Sequence, residues 1–317
     1  MNYFTNLFPL WVLFACAIAL WEPQAFAWFD GNLIVWGLGL IMLGMGITLS
    51  VDDFRRVLTL PTALVAGLAA QFVLMPLAAW TLAETLDLPV PYKVGLLLVA
   101  CSPGGTASNV VAFIARANVA LSVLMTMSST ALAIVLTPVL TSALAGKYVP
   151  IDGWQLLFSM LKIVFLPLVL GVVFHHLFPR ATERLLPVGP LIAVIVIALI
   201  CGSILGGSAS TVRESGLTLL GVVGLLHSLA FASGYLFARL LGYDELIRRT
   251  ISIEVGMQNS GLATVLARSH FTDPLTALPG AISAAVHSVI GSALAALWRA
   301  RSASGNGEES LEIPTAQ

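Results

Sequence analysis

Two stretches, Cys101-Ser-Pro-Gly-Gly-Thr-Ala-Ser-Asn109 and Glu254-Val-Gly-Met-Gln-Asn-Ser-Gly261, decide how this chain folds. Each is a polar, glycine-rich cluster set inside an apolar run that is otherwise long enough to cross a bilayer as a helix, about 20 residues for a hydrocarbon core of about 30 Å. Pro103 lacks an N–H and clashes with the preceding turn, and Gly104 and Gly105 lose extra backbone entropy, so a helix breaks there. Unwound backbone at mid-membrane carries N–H and carbonyl groups that lipid cannot satisfy. It survives only when buried in protein or facing a watery cavity.

Around these stretches the chain is apolar throughout. Of 317 residues, 10% are charged and 58% hydrophobic, against about a quarter charged in ordinary soluble domains. The expected fold is an all-α integral membrane protein with ten transmembrane helices, over 7–26, 32–50, 61–84, 92–115, 118–145, 154–177, 188–207, 216–241, 247–269 and 279–299. The run from Leu7 to Leu20 followed by Ala25-Phe26-Ala27 resembles a cleavable signal, but no Lys or Arg precedes Arg55, so it reads as a retained first span. The chain divides near Pro150 into 1–150 and 151–301, each with five spans and each broken in its fourth, followed by a polar tail, 302–317, of disorder-prone composition. An odd number of spans per half makes the two repeats inverted, and paired broken helices in inverted repeats point to a transport site.

Basic residues orient the spans. Arg55, Arg56, Arg116, Arg180, Arg184, Arg239, Arg248, Arg249, Arg299 and Arg301 fall on one side, against Lys93, Lys147, Arg213 and Arg268 on the other. The positive-inside rule then puts both termini in the cytoplasm of a cell inner or plasma membrane. Net charge is -1, which gives no basic surplus for nucleic acid. Cys16, Cys101 and Cys201 lie singly in apolar runs and read as buried thiols.

The chemistry gathers at the breaks. A helix restarting at Thr106, and a second around Asn259 or Ser260, would aim free N–H groups and the positive ends of two dipoles at the middle of the protein, where an anion is favoured. Glu254 is the acid placed well inside a span, at a cost of about 2.5 to 3.5 kcal/mol, with no basic residue on the adjoining turn. A bound cation is its natural partner. Gln258, Ser108, Asn109, Ser122 and Thr126 supply further oxygens of the kind a small hard cation prefers.

GTASN at 105–109, EVGMQNSGLA at 254–263, MLGMGITLSVDDFRRV at 42–57 and LPGA with a following His at 278–287 carry a resemblance to the bile acid:sodium symporter family. It is nearest to the family's ten-span bacterial members and runs from Leu7 to about Trp298. The resemblance implies two co-transported sodium ions. One falls on Ser108, Asn109, Ser122, Thr126 and Glu254, the other on Gln71, Glu254, Gln258 and the carbonyls of Val255 and Met257. It also implies that Thr106 and Asn259 lie beside an organic anion, a bile acid or a small carboxylate such as pantoate. Spans 4 and 9 would be broken and crossing within a core of spans 3, 4, 5, 8, 9 and 10, which moves against a panel of spans 1, 2, 6 and 7 in alternating access. A chain of this kind is expected to work as a monomer in the lipid bilayer. Relatives often carry Trp-His-Asn in the last span where this chain has Val286-His287-Ser288, so His287 and Ser288 are the candidates for setting substrate choice.

Blander readings stand beside these. Ser108, Ser122 and Thr126 could bond back to helix carbonyls, Gln71 could be interhelical glue, and Gly37, Gly39, Gly44 and Gly46 read as a close-packing face. His227 reads as a packing group, Lys162 as a snorkelling or cavity-facing cation, and Asp52, Asp53, Arg55 and Arg56 as a solvated turn. No GxSxG or HExxH is present, so an intramembrane enzyme is disfavoured. A sodium/proton antiporter of similar architecture would want more titrating carboxylates in the broken region than Glu254 alone.

Overall fold

The computed structural model describes residues 7–49, 62–186 and 188–308. Its helices are α1 (Phe8–Trp21), α2 (Asn32–Thr48), α3 (Thr62–Thr85), α4 (Val90–Ala100), α5 (Ala107–Ile114), α6 (Val119–Ala145), α7 (Gly153–Leu177), α8 (Pro179–Leu185), α9 (Gly189–Gly207), α10 (Ala209–Leu240), α11 (Glu245–Gly256), α12 (Ser260–His270) and α13 (Leu278–Glu308). Six helices among the described residues are long and apolar enough to cross a membrane, while α1, α2 and α4 are shorter apolar ones. Trp36, Leu170, Phe14 and Phe113 are exposed. A soluble protein would hide such side chains, whereas lipid solvates them. The protein is a multi-pass membrane protein.

Local chemistry explains where the helices start and stop. Asn118, Asp152 and Asp244 each cap the helix that follows, accepting backbone N–H groups on their side-chain oxygens. The first span is shorter than the sequence implied, because α1 ends at Trp21 and Pro23 opens a separate 3-10 turn over Pro23–Phe26. Pro76 and Pro138 stay inside α3 and α6. Lys162 is exposed on a π-turn, Leu161–Phe165, within α7. The last helix runs on through Glu308, into the stretch that composition read as tail. Residues 309–317, and the Asp52, Asp53, Arg55 and Arg56 turn, lie outside the described residues.

The two predicted breaks are both present. α4 stops at Ala100 and α5 begins at Ala107; α11 stops at Gly256 and α12 begins at Ser260. α3, α6, α10 and α13 pack around these broken pairs, while α1, α2, α7 and α9 pack on one another. At Gly46 of α2 and Gly171 of α7 the two backbones touch. A Cβ on Gly46 would stand 2.1 Å from the Leu168 carbonyl oxygen, and one on Gly171 would stand 2.4 Å from that of Leu43. Of the four glycines expected to form a close-packing face, Gly46 and Gly37 do so. Gly39 is in ordinary contact, and Gly44 has open space where a Cβ would stand.

Candidate ion and anion site

The breaks lie against each other. Gly105 N–H donates to the Met257 carbonyl and Asn259 N–H donates to the Pro103 carbonyl, both at 2.8 Å, and Gly104 pairs with Gln258 as an antiparallel bridge. Four backbone groups that lipid could not satisfy are thereby satisfied by each other. Glycine is needed for so close an approach: a Cβ on Gly105 would stand 2.7 Å from the Gln258 carbonyl oxygen.

Glu254 sits in the last turn of α11, 1% exposed, and α5 and α6 bring three hydroxyls to its carboxylate. Ser108 donates to Oε1 at 2.5 Å, Ser122 donates to the same oxygen, and Thr126 donates to Oε2 at 2.9 Å. Ser122 Oγ also lies 2.8 Å from Asn109 Oδ1, and Ser108 Oγ lies 3.3 Å from Thr126 Oγ1. All five residues expected in one ion set are therefore in one cluster. Glu254 takes part in none of the ion pairs found among the described residues. The back-bonding reading also holds in part, since Thr126 lies 3.0 Å from the Ser122 carbonyl. Sequence reasoning passed over Ser129, whose hydroxyl lies 3.3 Å from the Gly104 N–H; its place three residues beyond Thr126 on the same face of α6 was the available signal.

The second expected set is only partly assembled. Gln71 Nε2 donates to Gln258 Oε1 at 2.8 Å and to the Ser102 carbonyl at 3.2 Å, and Gln258 Nε2 donates to the Val255 carbonyl at 2.9 Å. Gln258 lies in the break, because α11 has already ended at Gly256. The Met257 carbonyl accepts from Gly105, although a carbonyl keeps a second lone pair. Gln71 Oε1 is buried without a hydrogen-bond partner. Such an orphan acceptor costs about 1 to 3 kcal/mol, and a cation would satisfy it.

Two cavities flank the bridge. The larger, about 350 Å³, is lined mostly by apolar side chains, with Thr106, Asn109, Thr126 and Ser288 among its polar residues. It reaches Pro9, Leu49, Ile114 and Pro190, at the start of α1, the end of α2, the end of α5 and the start of α9. The smaller, about 30 Å³, is lined by Thr106, Asn259 and His287 among others. Thr106 thus joins the two, Asn259 and His287 face one, and Ser288 faces the other while donating back to Ala284 at 2.6 Å. Asn259 caps α12, accepting the Leu262 N–H at 3.1 Å; Thr106 stands at the start of α5 with no such side-chain bond. Among the described residues, no Lys or Arg lines either cavity. A bound anion would therefore face helix N-termini and any accompanying cation.

The opposite end of the molecule is linked across. Arg268 of α12 holds both carboxylate oxygens of Asp30, just before α2, at 3.1 and 3.3 Å. His270 meets Ser159 of α7 at 2.8 Å.

The model of the sodium bile acid symporter family matches residues 35–215. The chain belongs to that family. It is 48% identical to the probable sodium/metabolite cotransporter BASS1, chloroplastic, of Arabidopsis thaliana, an alignment covering 93% of this chain and 74% of that protein. It is 44% identical to the probable sodium/metabolite cotransporter BASS2, chloroplastic, of Oryza sativa subsp. japonica, over 97% of this chain and 74% of that one. To the uncharacterized sodium-dependent transporter YocS of Bacillus subtilis (strain 168) it is 40% identical, over 92% and 90%.

Proposed function

We propose that this protein is a sodium-coupled symporter of small organic carboxylates that works by alternating access, with ten spans in two inverted five-helix repeats and both termini in the cytoplasm. Relatives named as sodium/metabolite cotransporters and as a sodium-dependent transporter support sodium coupling. The observation that carries the reading is the buried Glu254 carboxylate ringed by Ser108, Ser122 and Thr126 and approached by Asn109. An all-oxygen donor set around one buried negative charge suits a small hard cation. On ion entry each hydroxyl swings its proton away and turns a lone pair inward, which costs little because a hydroxyl rotates freely.

Charge balance argues for the second ion, at Gln71, Gln258 and the Val255 and Met257 carbonyls. One sodium neutralises Glu254, and a second neutralises the carboxylate, so the loaded centre carries no net charge through a low-dielectric interior. The anion lies between the N-termini of α5 and α12, against Thr106 and Asn259, with its apolar body in the 350 Å³ cavity. Each ligand then favours the other, as linkage requires. In this reading the larger cavity opens to the cytoplasm and the Asp30–Arg268 link closes the outer side, so the conformation is inward-facing. The group α1, α2, α7 and α9 is the panel and the remainder the moving core.

Uptake of a carboxylate into proteoliposomes, with and without an inward sodium gradient, tests the proposal for wild type and Glu254→Ala. Wild type should take up substrate only with the gradient, and the variant in neither case. Equal uptake in all four conditions would refute it.

A further inference from the structure

Beyond the ion cluster, a second buried polar chain runs through the molecule. His227 of α10 is fully buried and holds two partners: Nδ1 lies 2.8 Å from the Gly256 carbonyl and Nε2 lies 2.6 Å from Ser283 Oγ on α13. Ser283 Oγ lies 2.7 Å from Ser260 Oγ, at the start of α12. Ser260 Oγ in turn lies 3.3 Å from His287 Nδ1. The two imidazole rings meet edge to face, with centroids 5.2 Å apart.

The direction of every hydrogen bond in this chain follows from its first link. A carbonyl only accepts, so His227 Nδ1 carries the proton that Gly256 receives. An imidazolium here would be a buried charge with no carboxylate in hydrogen-bond reach among the described residues, so the ring is neutral and its Nε2 is a lone pair. The Ser283 hydroxyl must therefore donate to Nε2. Its oxygen can then only accept from Ser260, and the Ser260 proton is spent there. The other acceptor near Ser260, the Gln258 carbonyl at 3.5 Å, is too distant to compete. Ser260 Oγ can now only accept from His287, which places the His287 proton on Nδ1. His287 lines the smaller cavity, and its Nε2 is neither bonded within the described residues nor sealed among the buried orphan atoms.

We propose that the relay from His227 through Ser283 and Ser260 fixes the tautomer of His287, so that it presents a bare Nε2 to the cavity and selects an organic anion that also carries a hydroxyl. A lone pair at that position repels a carboxylate oxygen and accepts from an O–H. The carboxylate goes to the helix N-termini and the hydroxyl to His287. A site built to receive a hydroxyl discriminates against the analogue that lacks it, because its own polar group is then left unpaired. His227, Ser283 and Ser260 are positioning residues that act through His287. The substrate half of this inference rests on the symporter reading; the relay itself does not.

The relay is tested on the full chain labelled with 15N-histidine, with His287 assigned by difference from His287→Gln. The ring nitrogen shifts should show His287 protonated at Nδ1 in wild type. In Ser283→Ala, where Ser260 is freed to donate to His287 Nδ1, protonation should move to Nε2, and Ser283→Thr, which keeps the hydroxyl, should restore the wild-type pattern. In parallel, sodium-dependent thermal shifts are compared for 2-hydroxy-3-methylbutanoate and 3-methylbutanoate. Wild type should prefer the hydroxylated acid by about tenfold, the worth of one good hydrogen bond. Ser283→Ala should lower the ratio several-fold by strengthening 3-methylbutanoate, whose carboxylate an Nε2–H no longer repels, whereas mere structural damage would weaken both acids alike and leave the ratio unchanged. An Nε2 proton in wild type, or a tautomer unmoved in Ser283→Ala, overturns the relay. No preference for the hydroxylated acid in wild type overturns the substrate assignment. Uptake without sodium dependence alongside the expected shifts would sink the symporter reading and leave the relay standing.

Discussion

Replacing Gly105 with alanine isolates the contact between the two breaks. The added methyl would stand 2.7 Å from the Gln258 carbonyl oxygen and 3.1 Å from its carbon, both backbone atoms that cannot swing away. Ordinary contact begins at about 3.4 Å, so the two segments must part by about 0.7 Å. The bonds Gly105 to Met257 and Asn259 to Pro103, now 2.8 Å, would stretch to the limit of a hydrogen bond. Two buried backbone pairs left unmade cost about 1 to 3 kcal/mol each, or about 2 to 6 kcal/mol together. The helices around the breaks still hold the fold, so the loss should fall on the arrangement of Ser108 against Glu254. The expected result in proteoliposome uptake is a sodium requirement raised at least 30-fold, with folded protein recovered. Gly221→Ala, where a methyl meets nothing within 4 Å, is the control and should behave as wild type. A Gly105→Ala protein with unaltered sodium dependence would refute the idea that the paired breaks hold the ion cluster in register.

Four further outcomes follow from the same geometry. Glu254→Gln keeps the shape and an oxygen for the Ser108 and Ser122 hydroxyls but loses the charge, so unfolding without sodium should shift by a few degrees while the sodium needed for half-maximal uptake rises at least 100-fold. Gln71→Leu removes one orphaned acceptor and strands two others, Gln258 Oε1 and the Ser102 carbonyl, so sodium-free stability should fall by about 1 to 3 kcal/mol while the stabilisation that sodium brings is reduced. Thermal unfolding with and without sodium separates these two effects. Because two sodium ions and one carboxylate would move one net positive charge, an inside-negative potential of about 100 mV should contribute about 2.3 kcal/mol, near fifty-fold in accumulation. Potassium-valinomycin potentials across the liposome membrane measure this, and indifference to potential would exclude that stoichiometry. The Asp30–Arg268 link is exposed and worth about 1 kcal/mol or less, so Asp30→Arg should alter turnover by no more than about fivefold and the swap with Arg268→Asp should recover it.

The two breaks were legible because Pro103, Gly104 and Gly105 are hard to fit into a helix and Asn259 is a strong cap; these are local properties of the chain. Ser108, Asn109, Ser122 and Thr126, the four residues around Glu254, were legible as candidates because a buried acid needs a partner, and the family resemblance sharpened them into a set. What the sequence did not carry was relation across distance. Nothing in the spacing of 101–109 and 254–261 says that Gly105 meets Met257, and nothing says that Ser129 reaches Gly104. His227, Ser260, Ser283 and His287 form one chain only because α10, α12 and α13 pack together, so His227 read in isolation was a packing group. Gly44 failed as a packing residue for the converse reason: helical spacing identifies a face but not what lies opposite it, and here the opposite side is the cavity.

The meeting of Gly46 with Gly171 has a consequence for any motion in this protein. With main chain resting on main chain there is no intervening side chain to change rotamer and let one helix slide past the other, so α2 and α7 form a single stiff slab. Strain applied at either helix must be relieved elsewhere. Widening that seam with a methyl group would loosen the frame against which the rest of the molecule turns, and would do so at a point remote from Glu254.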